Sequence, residues 1–232
     1  MATLTILRLN VTNVLGLDNT VAASGGDQGQ IDYYLNEGVR QVLLDTSCYI
    51  TSTTVTPGAT ADYTLATPIL LIKSMYFTSG GTQYNLTQKS LQEIIDYRRA
   101  AGSSSPTLYY HLAGTALLMW FPTPAAADVL TLYYVPYPTA LSAGSDDPSG
   151  VTLGGIPVEQ HKLIEAYALW KLADMSDNLN SQKGELYKAR YTQGVGMFRR
   201  DLTKRGGPLA SVPLPSRRKG QNWVPRPDQI GA

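Results

Sequence analysis

The sequence predicts an α+β fold: a helical core of three main helices, an inserted antiparallel β-sheet or sandwich module, and an extended C-terminal arm. Three observations predict it. Apolar residues recur at 3/4 spacing from Asp27 to Cys48, and two further helical segments, one apolar almost all round and one with a single apolar stripe, lie between Pro157 and Leu202. Between them, residues 50–138 form short β-branched and aromatic runs separated by turn residues. After Gly206 come Pro208, Pro213, Pro215, Pro225 and Pro227, each without an N–H and with a fixed φ, which excludes both helix and central strand. The expected divisions are 1–48 (N-terminal segment and first helix), 49–145 (β-rich module with one short helix), 146–205 (two-helix remainder of the core) and 206–232 (arm).

The first helix is expected from Asp27, a suitable N-cap, with Ile31, Tyr34, Leu35, Val39, Val42 and Leu43 on its inner face. Seven strand-like runs follow: ITSTTVT, ADYTLA, ILLIKSMYFT, TQYNLT, PTLYYHLAG, TALLMWFP and VLTLYYVPYP. Gly80-Gly81 and Ala113-Gly114 mark two hairpins. Between the hairpins, Ser90 followed three residues later by Glu93 is a capping box, so SLQEIIDYRRA is the module's helix. Beyond a loop, Pro157 starts a helix that is apolar almost all round, from Leu163 to Met175. Such a helix is buried on every side, in its own domain or against neighbouring copies. The Ser176-Asp177-Asn178 turn leads to a last helix, about Leu179–Leu202, with Leu186, Tyr187, Tyr191, Val195, Phe198 and Leu202 on one stripe. Gly184, Gly194 and Gly196 each weaken that helix by roughly 1 kcal/mol relative to Ala, so it depends on packing. The two helices are expected to form an antiparallel pair against the first.

Composition narrows the function. Fifteen tyrosines stand against three phenylalanines, and charged residues make up only 16%. Tyr covers apolar area while keeping a polar tip, which suits surfaces buried in a partner. Net charge is +1, yet from Arg199 onward eight Arg/Lys face only Asp201 and Asp228, so the tail is a separate basic object. Cys48 is the single cysteine, which rules out an intramolecular disulfide. No run approaches the ~20 apolar residues of a membrane span, and no secretion signal is recognisable, so a soluble protein of a reducing compartment is expected.

Catalytic constellations are missing. His161 and His111 lie in apolar surroundings and are read as hydrogen-bonded core or interface residues. No HExxH, GxSxG, phosphate-loop or dinucleotide motif occurs. Asp146-Asp147-Pro148 is explained by turn chemistry, Glu93 and Asp96 by a solvated helix face, and Cys48 by burial as a small apolar residue. No catalytic residue, no metal and no cofactor are therefore expected.

Three stretches together resemble a known family. Tyr133-Tyr134 and Pro136, then Asp146-Asp147, then Ile156-Pro157 leading into His161, Tyr167, Ala168 and Trp170, are similar to the head–tail connector (adaptor, or head-completion) proteins of tailed bacteriophages. NEGVRQVLLD resembles the opening helix of that family. The resemblance implies a non-enzymatic virion protein at the head–tail junction of the capsid vertex, made in the host bacterial cytoplasm. It implies a homo-oligomeric ring, commonly of twelve copies, that binds the portal protein and extends the channel through which double-stranded DNA passes. The ring would offer a platform to the next tail component, whether stopper, nozzle or tail tube, with no membrane involved. The alternative is another virion structural protein, such as a tail-completion, decoration or binding module.

Two sets of residues carry these expectations. The arm has apolar anchors and spread positive charge, so Leu214, Arg217, Arg218, Lys219, Trp223 and Val224 are expected to dock on a partner and order there. Tyr167, Trp170, Tyr187, Tyr191 and Phe198 are expected at the contact between subunits.

Overall fold

The computed structural model describes residues 2–16, 27–56, 62–79, 81–100, 108–114, 117–121, 129–175 and 181–204. Helices α1 (Leu4–Leu15), α2 (Asp27–Thr46), α4 (His161–Met175) and α5 (Ser181–Lys204) build a helical body, while β1–β7 and α3 build a sheet module.

The helical body has four helices, where the sequence reading gave three. Helix α1 carries no acidic residue in its first turn and no side-chain cap. Its opening amides are instead satisfied by a distant loop: Leu4 N donates to Asp146 O at 2.7 Å and Thr5 N to Gly144 O at 3.1 Å. Leu4, Leu7 and Val11 are fully buried in one cluster with Leu35, Val42, Leu43, Ile156 and Ile164. Arg8 reinforces the seam through both oxygens of Asp32 on α2, at 2.5 Å each.

Helices α4 and α5 run antiparallel, since a Cβ on Gly184 would face Ala173 and Asp174 while one on Gly194 would face Leu163. On α4, Leu163, Ile164, Ala166, Tyr167, Ala168, Leu169, Leu172 and Ala173 are all buried. The core of the chain itself therefore accounts for most of the all-apolar surface. Helix α2 packs on its Ile164 side, where Gly38 brings the backbones close. On α5, Tyr191, Val195 and Phe198 are buried as the stripe requires, but Leu186 is 47% exposed and lies off it. The connecting turn 176–178 lies outside the described residues.

The sheet contains all seven expected strands: β1 (Thr51–Val55), β2 (Asp62–Thr64), β3 (Ile69–Ser79), β4 (Thr82–Gln88), β5 (Leu108–Ala113), β6 (Leu117–Phe121) and β7 (Val129–Pro136). Their order is β1-β7-β3-β4-β5-β6-β2. Both expected hairpins form, with Ser79 opposite Thr82 and Ala113 opposite Leu117. The sheet is mixed rather than antiparallel, because β4 and β5 pair in parallel through Leu86–Leu108. Helix α3 (Leu91–Ala100) lies in the β4–β5 connection and gives the chain the length that a parallel crossover requires. Leu130, Leu132 and Tyr134 of β7 pack with Val55, Met75 and Phe77 in a second cluster, whereas Val135, Leu70 and Leu71 belong to the helical one. The β3–β7 ladder thus joins the two bodies.

Candidate functional site

The loop between β7 and α4 joins sheet, α1 and α2. Asn36, in the opening-helix stretch NEGVRQVLLD, clamps it by accepting from Leu141 N at 2.7 Å and donating to Leu141 O at 3.1 Å. Asp146 accepts from the amides of Ser142 (2.7 Å) and Ala143 (2.8 Å), which lower its pKa. Asp147 is subject to burial, which acts to raise its carboxyl, but the Ser149 amide at 2.8 Å and the nearby His161 outweigh it and the net shift is downward. The pair builds a turn, as its sequence suggests, and that turn presents the carbonyls that begin α1.

His161 is 1% exposed. Its Nε2–H donates to Ile156 O at 3.0 Å, a carbonyl that can only accept, so the proton sits on Nε2. His111 likewise donates from Nδ1 to Lys89 O at 2.9 Å, tying β5 to the start of α3. The capping box forms as written: Glu93 N donates to Ser90 Oγ at 3.3 Å and Ser90 N donates to Glu93 Oε2 at 2.9 Å. The Ser90 amide, then the Lys89 ammonium, depress the Glu93 carboxyl to about 2. Asp96 accepts from Gln92, and burial pushes the Cys48 thiol up. Every candidate for chemistry therefore has a local structural role. Among the described residues, no group of three His, Cys, Asp or Glu is placed to hold a metal ion, and no helix is long and apolar enough to cross a membrane.

What remains is a surface on the α4–α5 hairpin. Tyr167, Tyr191 and Phe198 are 5–7% exposed and lie in the helical core, so they present little area to a neighbour. Tyr191 donates to Asp45 Oδ2 at 2.6 Å; burial and that carboxylate push its phenol far above the usual range. Trp170 and Tyr187 are half-buried at the core's edge. Trp170 meets Tyr167 edge-on at 5.6 Å, with the Lys171 ammonium 4.2 Å from its ring centre and that of Lys188 5.7 Å away. The Arg190 guanidinium lies 5.4 Å over Tyr187. Rings half-covered by cations combine apolar area with N–H donors, the composition of interface hot spots.

Beside these rings a groove of about 400 Å³ opens between the end of α1, α4 and α5. Val14, Ala166, Leu169 and Met197 form its apolar walls, with Glu165 and Arg190 among its polar groups. Burial raises the Glu165 carboxyl, which accepts from Asn10 at 2.6 Å. Sequence reasoning missed the groove because Val14 lies on the unassigned helix and Met197 falls off the buried stripe. The arm residues Leu214, Arg217, Arg218, Lys219, Trp223 and Val224 lie outside the described residues.

Comparison with known proteins adds the decisive observation. No curated protein matches the chain. A family model described as SU10 adaptor protein matches residues 4–212, which takes in the helical body, the sheet module and the start of the arm. This chain belongs to the SU10 adaptor protein family, and it is a structural adaptor of the phage virion, not an enzyme.

Proposed function

We propose that the protein is a subunit of a head–tail connector ring, in twelve copies, that docks on the portal at the capsid vertex, extends the DNA channel and offers a platform to the next tail component. The family match over residues 4–212 is the observation that carries this reading. The surface chemistry is in line with it: aromatic and cationic side chains cluster on one helix pair. On this reading subunits are made in the host cytoplasm.

The arm, 206–232, is the docking element. Pro208, Pro213, Pro215, Pro225 and Pro227 disfavour a partner-free fold, and Leu214, Trp223 and Val224 supply anchors. Trp223 in a pocket contributes ~2 kcal/mol or more. Arg217, Arg218 and Lys219 meet carboxylates and set orientation and association rate more than affinity. The test is incorporation into portal-containing particles by three forms: the parent, a deletion of 206–232, and Trp223→Ala. Loss of incorporation in the deletion and a marked reduction in Trp223→Ala are expected. Parent-like assembly by both overturns the docking arm; lost duplex binding with assembly intact would mark it as a DNA-contacting tail.

A further inference from the structure

Helix α5 carries two lines of side chains. One, Tyr191, Val195 and Phe198, is buried in the helical core. The other, Leu186, Arg190, Gln193 and Met197, is spaced four, three and four residues apart and stays outside. Its apolar ends, Leu186 and Met197, are 47% and 51% exposed. At about 1.5 Å per residue this line is roughly 16 Å long, about three helical turns. Arg190, Gln193 and Met197 form one side of the groove of about 400 Å³, and Ala166 and Leu169 of α4 with Val14 of α1 complete its apolar walls.

Two cations line the groove with no carboxylate to hold them. Neither Lys162 nor Arg190 has an ion pair among the described residues; Lys162 is exposed, and Arg190 rests on the Tyr187 ring. The acid beside them is Glu165, which is tied to Asn10 at 2.6 Å and whose carboxyl burial raises. An apolar trough with two unmet cations is complementary to an occupant that brings apolar side chains and carboxylates together.

The chain's own segments match this poorly. Residues 205–232 bring Arg205, Arg217, Arg218, Lys219 and Arg226 against Asp228 alone, so they are like-charged with the groove. Residues 17–26, which follow α1, bring a single acid, Asp18, for two cations. On a second copy, Asp32, Glu37, Asp62 and Glu93 are already ion-paired with Arg8, Arg40, Arg98 and Lys89. Duplex DNA brings negative charge but no apolar side chain for walls built of Val14, Leu169 and Met197.

We infer that the α1–α4–α5 groove docks a short acidic segment of another protein, which lays apolar side chains against Val14, Leu169 and Met197 and sets carboxylates on Lys162 and Arg190. The length of the exposed line and its apolar ends suit an amphipathic helix. The inference goes beyond the ring reading, since it concerns a surface that each subunit carries by itself.

The test follows the methyl group of Met197 by NMR in the full-length chain with isotope-labelled methionine methyls, the signal being assigned through Met197→Leu. The chain is titrated at physiological salt with a helical peptide of Glu, Ala and Leu whose leucines fall on one stripe. The same peptide with serine in place of leucine, and a DNA duplex, serve as comparisons. The Met197 signal is expected to move with the leucine peptide only. Lys162→Glu and Arg190→Glu, both at exposed positions, are each expected to weaken that binding on the order of tenfold, and Lys204→Glu, off the groove, to leave it unchanged. Should a reversal misfold, Lys162→Gln or Arg190→Gln takes its place. No movement up to the solubility limit of the peptide, or equal movement with the serine peptide, overturns the inference. Movement with the duplex and not with the peptide makes the groove a DNA contact and overturns it as well. If Met197→Glu lowers the mass of the parent assembly in sedimentation, a second copy fills the groove and the inference is wrong. A parent that is monomeric at every soluble concentration but binds the leucine peptide overturns the ring reading and supports this one.

Discussion

Gly194 and Gly196 sit two residues apart on α5 and have opposite surroundings. A Cβ on Gly194 would lie 2.3 Å from Leu163 Cδ2, whereas one on Gly196 would meet nothing within 4 Å. Helix propensity favours Ala at both by ~1 kcal/mol, but overpacking at Gly194 costs ~1–3 kcal/mol. Gly194→Ala is therefore expected to lower stability and Gly196→Ala to raise it, with opposite shifts of the urea midpoint. Equal shifts in one direction would show that α5 follows propensity alone. The two glycines cost the same as isolated helix residues, and only the packing of α4 on α5 tells them apart.

Among the elements, α1 is the one whose existence depends most on the rest of the chain. It takes its first hydrogen bonds from Gly144 and Asp146 and buries Leu4, Leu7 and Val11 completely. Leu7→Ala removes a fully buried side chain and is expected to cost ~2–5 kcal/mol, read as a lower denaturant midpoint. A loss under ~0.5 kcal/mol, the level of an ordinary surface substitution, would mean that α1 is not part of the cooperative unit. Asn10 and Val14 of α1 also bear on the groove, so the same helix shapes that surface.

Over the whole molecule the unequal charge is the dominant feature. The segment before α4 is acidic and the segment from α4 onward basic, although the total is only +1. Steering between such segments acts over the Debye length, which shrinks from ~30 Å at 0.01 M salt to ~8 Å at 0.15 M. The association rate of the full chain is expected to fall on the order of tenfold across that range, as followed by stopped-flow light scattering. A rate independent of salt would show that charge polarity does not guide assembly.

Local signals carried much of this protein in its sequence. Ser90 and Glu93 specify α3 because a capping box is complete within four residues, and it forms as written. The seven strands are legible because β-branched runs and turn residues alternate over short distances, and each hairpin needs only its own turn. The buried face of α5 is legible through Tyr191, Val195 and Phe198, which repeat with the helix. Other features are non-local, and only the tertiary structure decided them. Helix α1 has apolar residues on both faces and no capping side chain, and the carbonyls that start it lie some 140 residues away at Gly144 and Asp146. The parallel β4–β5 pairing depends on where α3 returns the chain, which no strand signals by itself. Tyr167, Tyr191 and Phe198 look like interface aromatics in a list of residues, but the packing of α2, α4 and α5 encloses them and leaves Trp170 and Tyr187 at the edge. Periodicity states which side of an element is apolar; only the assembled fold determines what covers that side, because burial is a property of neighbours that the chain brings together from afar.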